Sequence, residues 1–159
     1  MPTSSTTPSL FPAPRTASRP ASDKWISAHC DGGARGNPGP AGFGALIQDA
    51  DGSVLAELSE FLGIQTNNFA EYSGLLAVLN FALTHNHRRL RVVSDSELMV
   101  KQIQGKYKVK SPILRPLFDQ ARKKIAQLDA FEITHALRHK NKDADRLANQ
   151  AMDSGIRCG

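Results

Sequence analysis

Four acidic side chains lie where the sequence predicts a strand to end or a helix to begin. Asp31 and Asp95 each follow a short apolar stretch typical of a strand, and Glu71 and Asp145 fall in the predicted first turns of two helices. Each acid alone has a structural explanation, because the helix dipole favours acids in a first turn and acids often cap strand ends. As a set, they are expected to share the sheet edge that opens onto the binding crevice of an α/β fold.

Carboxylates gathered in this way predict a site for divalent cations. Four of them without matched lysines would repel one another strongly unless cations bound there. Hard oxygen ligands suit Mg²⁺ or Mn²⁺ rather than zinc, and the two cysteines, Cys30 and Cys158, lack zinc-ligand spacing. Two such ions about 4 Å apart stabilise the attacking and leaving oxygens of phosphoryl transfer. The acids therefore indicate metal-dependent chemistry on a phosphate ester.

Strand and helix patterns place these acids in a mixed sheet. Strands are predicted over Trp25–Asp31, Gly42–Gln48, Val54–Leu62, Leu90–Ser94 and Phe131–Leu137, with a rigid glycine- and proline-rich loop over Gly32–Pro40. Helices are predicted after Thr66-Asn67-Asn68, directly after Asp95, and over Pro112–Leu128 and Asp143–Met152. This order predicts an α/β fold: a five-stranded mixed sheet, its first three strands antiparallel, flanked by helices.

Charge and composition divide the chain into a tail and one domain. Its 159 residues include 20 Lys and Arg against 15 Asp and Glu, for a net charge of +5. Residues 1–22 are rich in Pro, Ser, Thr and Ala, and we expect them to be disordered because they cannot bury enough apolar surface. Residues 23–159 carry 18 bases and 15 acids, a mildly basic domain suited to a polyanionic partner.

The sequence lacks the signals of membrane and secreted proteins. No apolar run approaches the roughly 18 residues of a membrane span, and the N-terminal residues lack the apolar core of a secretory signal. A cytoplasmic protein is therefore expected, and a monomer is expected because nothing in the sequence demands an oligomer. Organellar targeting by the tail is the minor alternative, since arginines without acids suit a transit peptide while the prolines oppose its amphipathic helix.

Four stretches of the sequence resemble the motifs of type 1 ribonuclease H, in that family's order and spacing. They are Asp31–Gly42, Thr66–Tyr72, Ser94–Leu98 and Arg138–Asn149, within a resemblance that spans about residues 25–154. The chain resembles the shorter bacterial and archaeal branch that lacks a basic handle. Gly105–Ser111 leads straight into the next helix, and the sole tryptophan is Trp25.

The resemblance implies an endonuclease that cuts the RNA strand of an RNA–DNA hybrid without strong sequence preference. Asp31, Glu71, Asp95 and Asp145 match the family's metal-binding carboxylates, which hold two Mg²⁺ ions in the catalytic complex, with Mn²⁺ as an alternative. The family's better-known branch carries a mobile histidine before the last aspartate. His139 is a candidate for that catalytic role, against a loop histidine that contacts phosphate or nothing.

The residues expected to contact the hybrid fall into two groups. The glycine-rich motif and three asparagines match positions at the hybrid's minor groove. A basic run around Tyr107 suits phosphates, although such a run is often only a solvated loop. The expected substrate-binding residues are Gly32, Gly33, Arg35, Asn37, Asn67, Asn68, Ser96, Lys106, Lys108, Lys110 and Arg138.

Two other functions remain open at the level of the sequence. One is a module that binds hybrids without cutting them, which the retention of all four carboxylates opposes. The other is a related nuclease of the same fold acting on other nucleic acids, such as a Holliday-junction resolvase or an integrase core. The motifs around Asp31 and Glu71 oppose that alternative. Cleavage of double-stranded RNA is left open.

Overall fold

Five strands and four helices make up the described part of the chain. The computed structural model describes residues 24–136 and 142–158, so the predicted tail over residues 1–22 lies outside the described residues. The strands are β1 (Ile26–Ala34), β2 (Gly39–Gln48), β3 (Val54–Gln65), β4 (Arg89–Ser94) and β5 (Ala130–His135). The helices are α1 (Asn67–Thr84), α2 (Glu97–Ile103), α3 (Leu114–Ile125) and α4 (Lys142–Cys158). None of these helices is long and apolar enough to cross a membrane.

The strands form one mixed sheet in the order β3-β2-β1-β4-β5. β1 is antiparallel to β2, and β2 to β3, while β4 runs parallel to both β1 and β5. This arrangement confirms the predicted fold class. It also brings Asp31 and Asp95 near each other, because β1 carries Asp31 and pairs with β4, which ends directly before Asp95.

Several elements differ in length from their predictions. β1 does not end at Asp31, because residues 32–34 continue its ladder opposite residues 41–43 of β2. Asp31 therefore projects from within a strand, and the predicted loop over Gly32–Pro40 shrinks to residues 35–38. β3 and α4 extend beyond their predicted ends, whereas α3 is shorter at both ends and β5 begins at Ala130. Leu137, predicted to end β5, lies outside the described residues.

One face of the sheet packs against α1, α2 and α3. Alternate residues of β1, including Ala28 and Cys30, are buried in the same core as Leu75 and Leu79 of α1. The buried apolar side of α1 is thus the side that faces the sheet. The core holds the long helix in place above the strand that carries Asp31.

The opposite face of the sheet is covered by α4, which lies unusually close to β2. A Cβ atom placed on Gly44 would lie 2.4 Å from both Ala148 N and Leu147 Cβ. One placed on Gly42 would lie 2.9 Å from Ala151 Cβ. Because any side chain at these positions would push the helix outward, the glycines set how closely α4 approaches the sheet. Gly44 is also the β2 partner of Asp31.

Candidate functional site

Asp31 is held rigidly at the centre of the sheet. Its side chain is buried, with 4% of the residue exposed, and its Oδ1 accepts a hydrogen bond of 2.9 Å from Gly32 N. A Cβ atom on Gly32 would lie only 2.5–2.6 Å from the main chain of Ala70 and Glu71. Glycine at position 32 therefore lets α1 approach β1, and this close approach brings Glu71 beside Asp31.

The predicted position of Glu71 needs a correction. Thr66 caps α1, since its Oγ1 accepts a hydrogen bond from Phe69 N at 3.2 Å. This confirms the predicted capping segment but places the cap one or two residues ahead of Asn67 and Asn68. Glu71 consequently lies in the second turn of the helix, not the first. Asp145 does lie in the first turn of its helix, as predicted.

Three of the predicted carboxylates line one cleft. Asp31, Glu71 and Asp145 come from β1, α1 and α4, and they border an open cleft of about 460 Å³. The other residues that line it are Gly32, Gly33, Ala34, Arg35, Asn67, Asn68, Ala148, Asn149 and Met152. Much of the predicted site is therefore gathered on one surface, although its members are spread over more than a hundred positions of the sequence.

Asp95 belongs to the same electrostatic cluster, although it does not line the cleft. It lies between β4 and α2, where Ser96 Oγ caps the helix by accepting a hydrogen bond from Met99 N at 3.3 Å. Burial raises the pKa of the Cys30 thiol, and the charges of Asp31, Glu71 and Asp95 raise it further. All three acids therefore act on the same buried thiol. The Ser96 hydroxyl, predicted to bind substrate, accepts the capping hydrogen bond and keeps its own proton to donate.

The donor set fits a hard divalent cation in its chemistry. Carboxylates from four elements, with carboxamides beside them, are the oxygen ligands that Mg²⁺ and Mn²⁺ prefer. Cys30 is buried in the hydrophobic core and does not line the cleft. Within residues 24–136 and 142–158, no three His, Cys, Asp or Glu side chains are grouped closely enough to hold a metal as they stand. The fit lies in the ligand types and in their shared surface.

Two asparagines tie the glycine-rich motif to the start of α1. Asn67 Oδ1 accepts a hydrogen bond of 2.7 Å from Ala34 N, and Asn37 Oδ1 accepts one of 3.1 Å from Asn67 N. Both side-chain oxygens therefore serve the protein, and their Nδ2 groups are the donors suited to a ligand. Asn67 and Asn68 line the cleft, whereas Asn37 does not.

A second set of contacts joins the motif to α4 and was not anticipated. Arg35 forms an ion pair with Asp153 and donates from Nη2 to Asn149 Oδ1 at 3.3 Å. Asn149 Nδ2 in turn donates to Asp145 O at 3.0 Å and approaches Asp145 Oδ2 at 3.4 Å. The available sequence signal was the spacing of Asp145, Asn149 and Asp153, four residues apart on one helix face.

The predicted basic loop lies apart from the cleft, and none of its lysines lines it. Lys106, Lys108 and Lys110 are exposed, and none of the three forms an ion pair with another described residue. Lys101 and Arg115, the bases on either side of the loop, are paired within their helices with Glu97 and Asp119. Of these five bases, the three in the loop form no ion pair within the part of the chain that the structure describes.

The main chain of this loop is held in place by two buried residues. Val109 is buried between two exposed lysines, and Gln102 Nε2 donates to Lys108 O at 3.4 Å. Gln102 is itself buried, and its Oε1 accepts a hydrogen bond of 2.6 Å from Tyr72 OH. Tyr72 adjoins Glu71, so one chain of contacts connects the loop to the helix that carries a predicted metal ligand. Arg138 and His139 lie outside the described residues.

Comparisons of the sequence with known proteins identify the family of this chain. A family model described as "Reverse transcriptase-like" matches residues 29–151. The Ribonuclease HI of Halobacterium salinarum is 39% identical over 128 residues, which cover 80% of this chain and 64% of that protein. The chain belongs to the type 1 ribonuclease H family. The Bifunctional protein Rv2228c of Mycobacterium tuberculosis is 47% identical over 81% of this chain, and the match spans about a third of that relative's length (36%).

Solved structures agree with this family and with the ribonuclease H fold. The N-terminal ribonuclease H domain of Rv2228c has a TM-score of 0.83 at 42% identity, covering 86% of this chain and 99% of that one. LC11-RNase H1, solved in complex with an RNA/DNA hybrid, has a TM-score of 0.77 at 41% identity, covering 82% and 99%. The sequence resemblance to type 1 ribonuclease H is thereby confirmed.

Proposed function

We propose that this ribonuclease H is an endonuclease that hydrolyses the RNA strand of RNA–DNA hybrids without strong sequence preference. The observation that carries the proposal is the cleft lined by Asp31, Glu71 and Asp145 beside a glycine-rich strand end. The hybrid bound by LC11-RNase H1 supports the choice of substrate. The family supports a phosphodiester hydrolase rather than a module that only binds.

Asp31, Glu71, Asp95 and Asp145 are the residues proposed to hold the divalent ions, two Mg²⁺ with Mn²⁺ as the alternative. Bound ions of this kind activate the attacking water and stabilise the leaving 3′ oxygen. The chain's own contribution includes an Asp31 carboxylate that is fixed before substrate arrives, since Asp31 is buried and bonded to Gly32 N. Such preorganisation avoids the cost of reordering the site during the reaction.

The substrate is proposed to approach over the glycine-rich motif. Gly33 carries no side chain and the space beside it is open, so a nucleic-acid backbone can come close to the main chain there. The space beside Gly32 is filled by α1, so its proposed contact is through the main chain. Asn37 and Asn67 use their oxygens within the protein, which leaves their Nδ2 groups to donate to the ribose 2′-hydroxyl and the groove edges. Asn68, in the same cleft, is a further donor.

Phosphates farther along the hybrid are proposed to meet the exposed lysines of the basic loop, Lys106, Lys108 and Lys110. Their charges are suited to general phosphate contact, which positions a duplex without reading its sequence. Ser96 and Arg138 remain proposed contacts, and His139 a proposed catalytic residue. We further propose a cytoplasmic monomer with a catalytic domain over residues 23–159 and a tail over 1–22. Cleavage of double-stranded RNA is a secondary activity to be tested.

A direct cleavage assay tests this function. Labelled RNA–DNA hybrid, duplex RNA and duplex DNA are each incubated with the full chain in Mg²⁺ or Mn²⁺. The same assay is run on Asp95→Asn and on Asp119→Asn, a matched change of an exposed acid on α3. We expect cutting of the RNA strand of the hybrid that is lost in Asp95→Asn and kept in Asp119→Asn. Equal cutting of duplex DNA, or full activity of Asp95→Asn, would overturn the proposal.

A further inference from the structure

Three residues on one face of α4 meet a single arginine from the glycine-rich motif. Asp145, Asn149 and Asp153 are spaced by four residues, and Arg35 contacts the second and third of them. Arg35 comes from the connection between β1 and β2, more than a hundred positions earlier in the sequence. The contacts therefore join two elements that only the folded state brings together.

Asn149 stands between the arginine and the carboxylate. Its Oδ1 accepts from Arg35 Nη2 at 3.3 Å, while its Nδ2 donates to Asp145 O at 3.0 Å and reaches Asp145 Oδ2 at 3.4 Å. A carboxamide can flip about its last torsion, which exchanges donor for acceptor. A guanidinium is only a donor, so Arg35 fixes Oδ1 on its own side and keeps Nδ2 turned toward Asp145.

The ion pair with Asp153 fixes the arginine in turn. The Arg35 side chain is 40% exposed and that of Asp153 is 49% exposed, so without an anchor the arginine would sample many rotamers. Paired with Asp153 through Nη1, its guanidinium presents Nη2 to Asn149. Two donors in a rigid plane suit this task, which a lysine ammonium cannot reproduce.

We propose that Arg35 and Asn149 are positioning residues that hold the Asp145 carboxylate for cation binding, with Asp153 anchoring the arginine. The inference rests on the proposed function, because it takes Asp145 as a metal ligand. It assigns Arg35 a role inside the protein in place of the substrate contact predicted from the sequence. Contacts of this type, which orient a ligand without touching the metal, typically change metal affinity by about 10–100-fold.

The same helix supplies a matched control. Arg146 follows Asp145 directly, and it pairs with Glu57 of β3 at 3.3 Å and with Asp143 at 3.8 Å. It is likewise an exposed arginine in an ion pair between α4 and another part of the chain. It does not line the cleft. Arg146→Ala therefore removes a comparable surface ion pair without disturbing the Arg35–Asn149 contacts.

The test is a calorimetric titration of the full chain with Mn²⁺ or Ca²⁺ in the absence of nucleic acid. We expect Asn149→Ala to weaken metal binding about 10-fold or more. Arg35→Ala, Arg35→Lys and Asp153→Ala should each weaken it several-fold, while Arg146→Ala binds like the wild type. Thermal unfolding without metal is measured for every variant, and Asp153→Ala, at an exposed position, tests the contacts even if Asn149→Ala unfolds.

The alternative, that Arg35 contacts the hybrid, predicts a different pattern. Arg35→Ala would then raise KM for the hybrid and leave metal affinity unchanged, and Asp153→Ala would lower KM by releasing the guanidinium. That pattern would overturn the inference, as would metal affinities in Asn149→Ala and Asp153→Ala equal to those of the wild type. If the wild type cut no hybrid in Mg²⁺ or Mn²⁺, the proposed function itself would fail, which is a separate outcome.

Discussion

The carboxylate cleft and the basic loop both carry charge for the same proposed substrate, yet they are built in opposite ways. In the cleft, side chains are fixed: Asp31 is bonded to Gly32 N, and Asn67 to Ala34 N. In the loop, the main chain is fixed through Gln102, and the lysine side chains extend into solvent. A site that does chemistry needs defined atoms, whereas a site that neutralises phosphates needs only charge at about the right place.

The largest effect is expected from the fixed side chains of the cleft. Asp31→Asn keeps the size of the side chain but removes the charge proposed to hold a divalent ion. Because metal ions supply several kcal/mol of transition-state stabilisation, kcat should fall by about three orders of magnitude or more. Steady-state cleavage of a labelled hybrid measures this loss. Residual activity above a tenth of the wild type would contradict the expectation that the cleft depends on fixed side chains more strongly than the basic loop does.

Backbone packing beneath the cleft should be the next most sensitive feature. Gly44→Ala places a methyl group 2.4 Å from Ala148 N, so α4 must shift and the unfolding free energy should fall by about 1–3 kcal/mol. Gly33→Ala is the contrast, because the nearest atom to its Cβ, Asn67 Oδ1, is 3.7 Å away. Denaturant titration should show near-wild-type stability for Gly33→Ala, with any loss appearing in KM for the hybrid.

The anchoring of the basic loop can be broken without touching its charges. Gln102→Ala removes both the bond to Lys108 O and the acceptor of the buried Tyr72 hydroxyl, so stability should fall by about 1–3 kcal/mol. Tyr72→Phe removes one bond and leaves the contact with the loop, so its cost should be smaller. Urea unfolding measures both variants. Equal losses would mean that the loop contact contributes nothing.

The lysine charges themselves should have a modest and salt-dependent effect. Replacing Lys106, Lys108 and Lys110 by glutamine should raise KM several-fold at low salt and reduce the salt slope of hybrid binding by about 1 for each lost phosphate contact. Stability should not change. The matched control is Lys123→Gln with Lys124→Gln on α3. An unchanged salt slope in the triple variant would show that the loop does not face the hybrid.

The smallest effect concerns acid sensitivity outside both regions. Burial lowers the pKa of His87, and the nearby His85 lowers it further, against a smaller opposing effect of Asp49. The unfolded state then binds a proton that the folded state resists, so stability is lost as pH falls below about 6.5. His87→Gln should flatten the dependence of unfolding free energy on pH between about 5 and 7. An unchanged slope would mean that groups other than His87 cause the acid sensitivity.

The fold could be predicted from the sequence because its signals are local. Apolar runs, the Thr66 cap and the spacing of the motifs are each carried by neighbouring residues. The extent of β1 was mispredicted, because Gly32 and Gly33 look like a loop until their pairing with β2 is known. The role of Arg35 is also hidden, since its partners lie 114 and 118 positions away.

The docking of α4 on the glycines of β2 has a consequence for how the enzyme is made. The cleft needs Asp31 near the start of the domain and Asp145 near its end, and contacts of such high sequence separation form slowly and late. During synthesis the earlier strands emerge first, so the growing chain displays part of the cleft without its last carboxylate. With Asp145 as a proposed metal ligand, the nascent polypeptide is expected to remain inactive on hybrids until α4 has been translated.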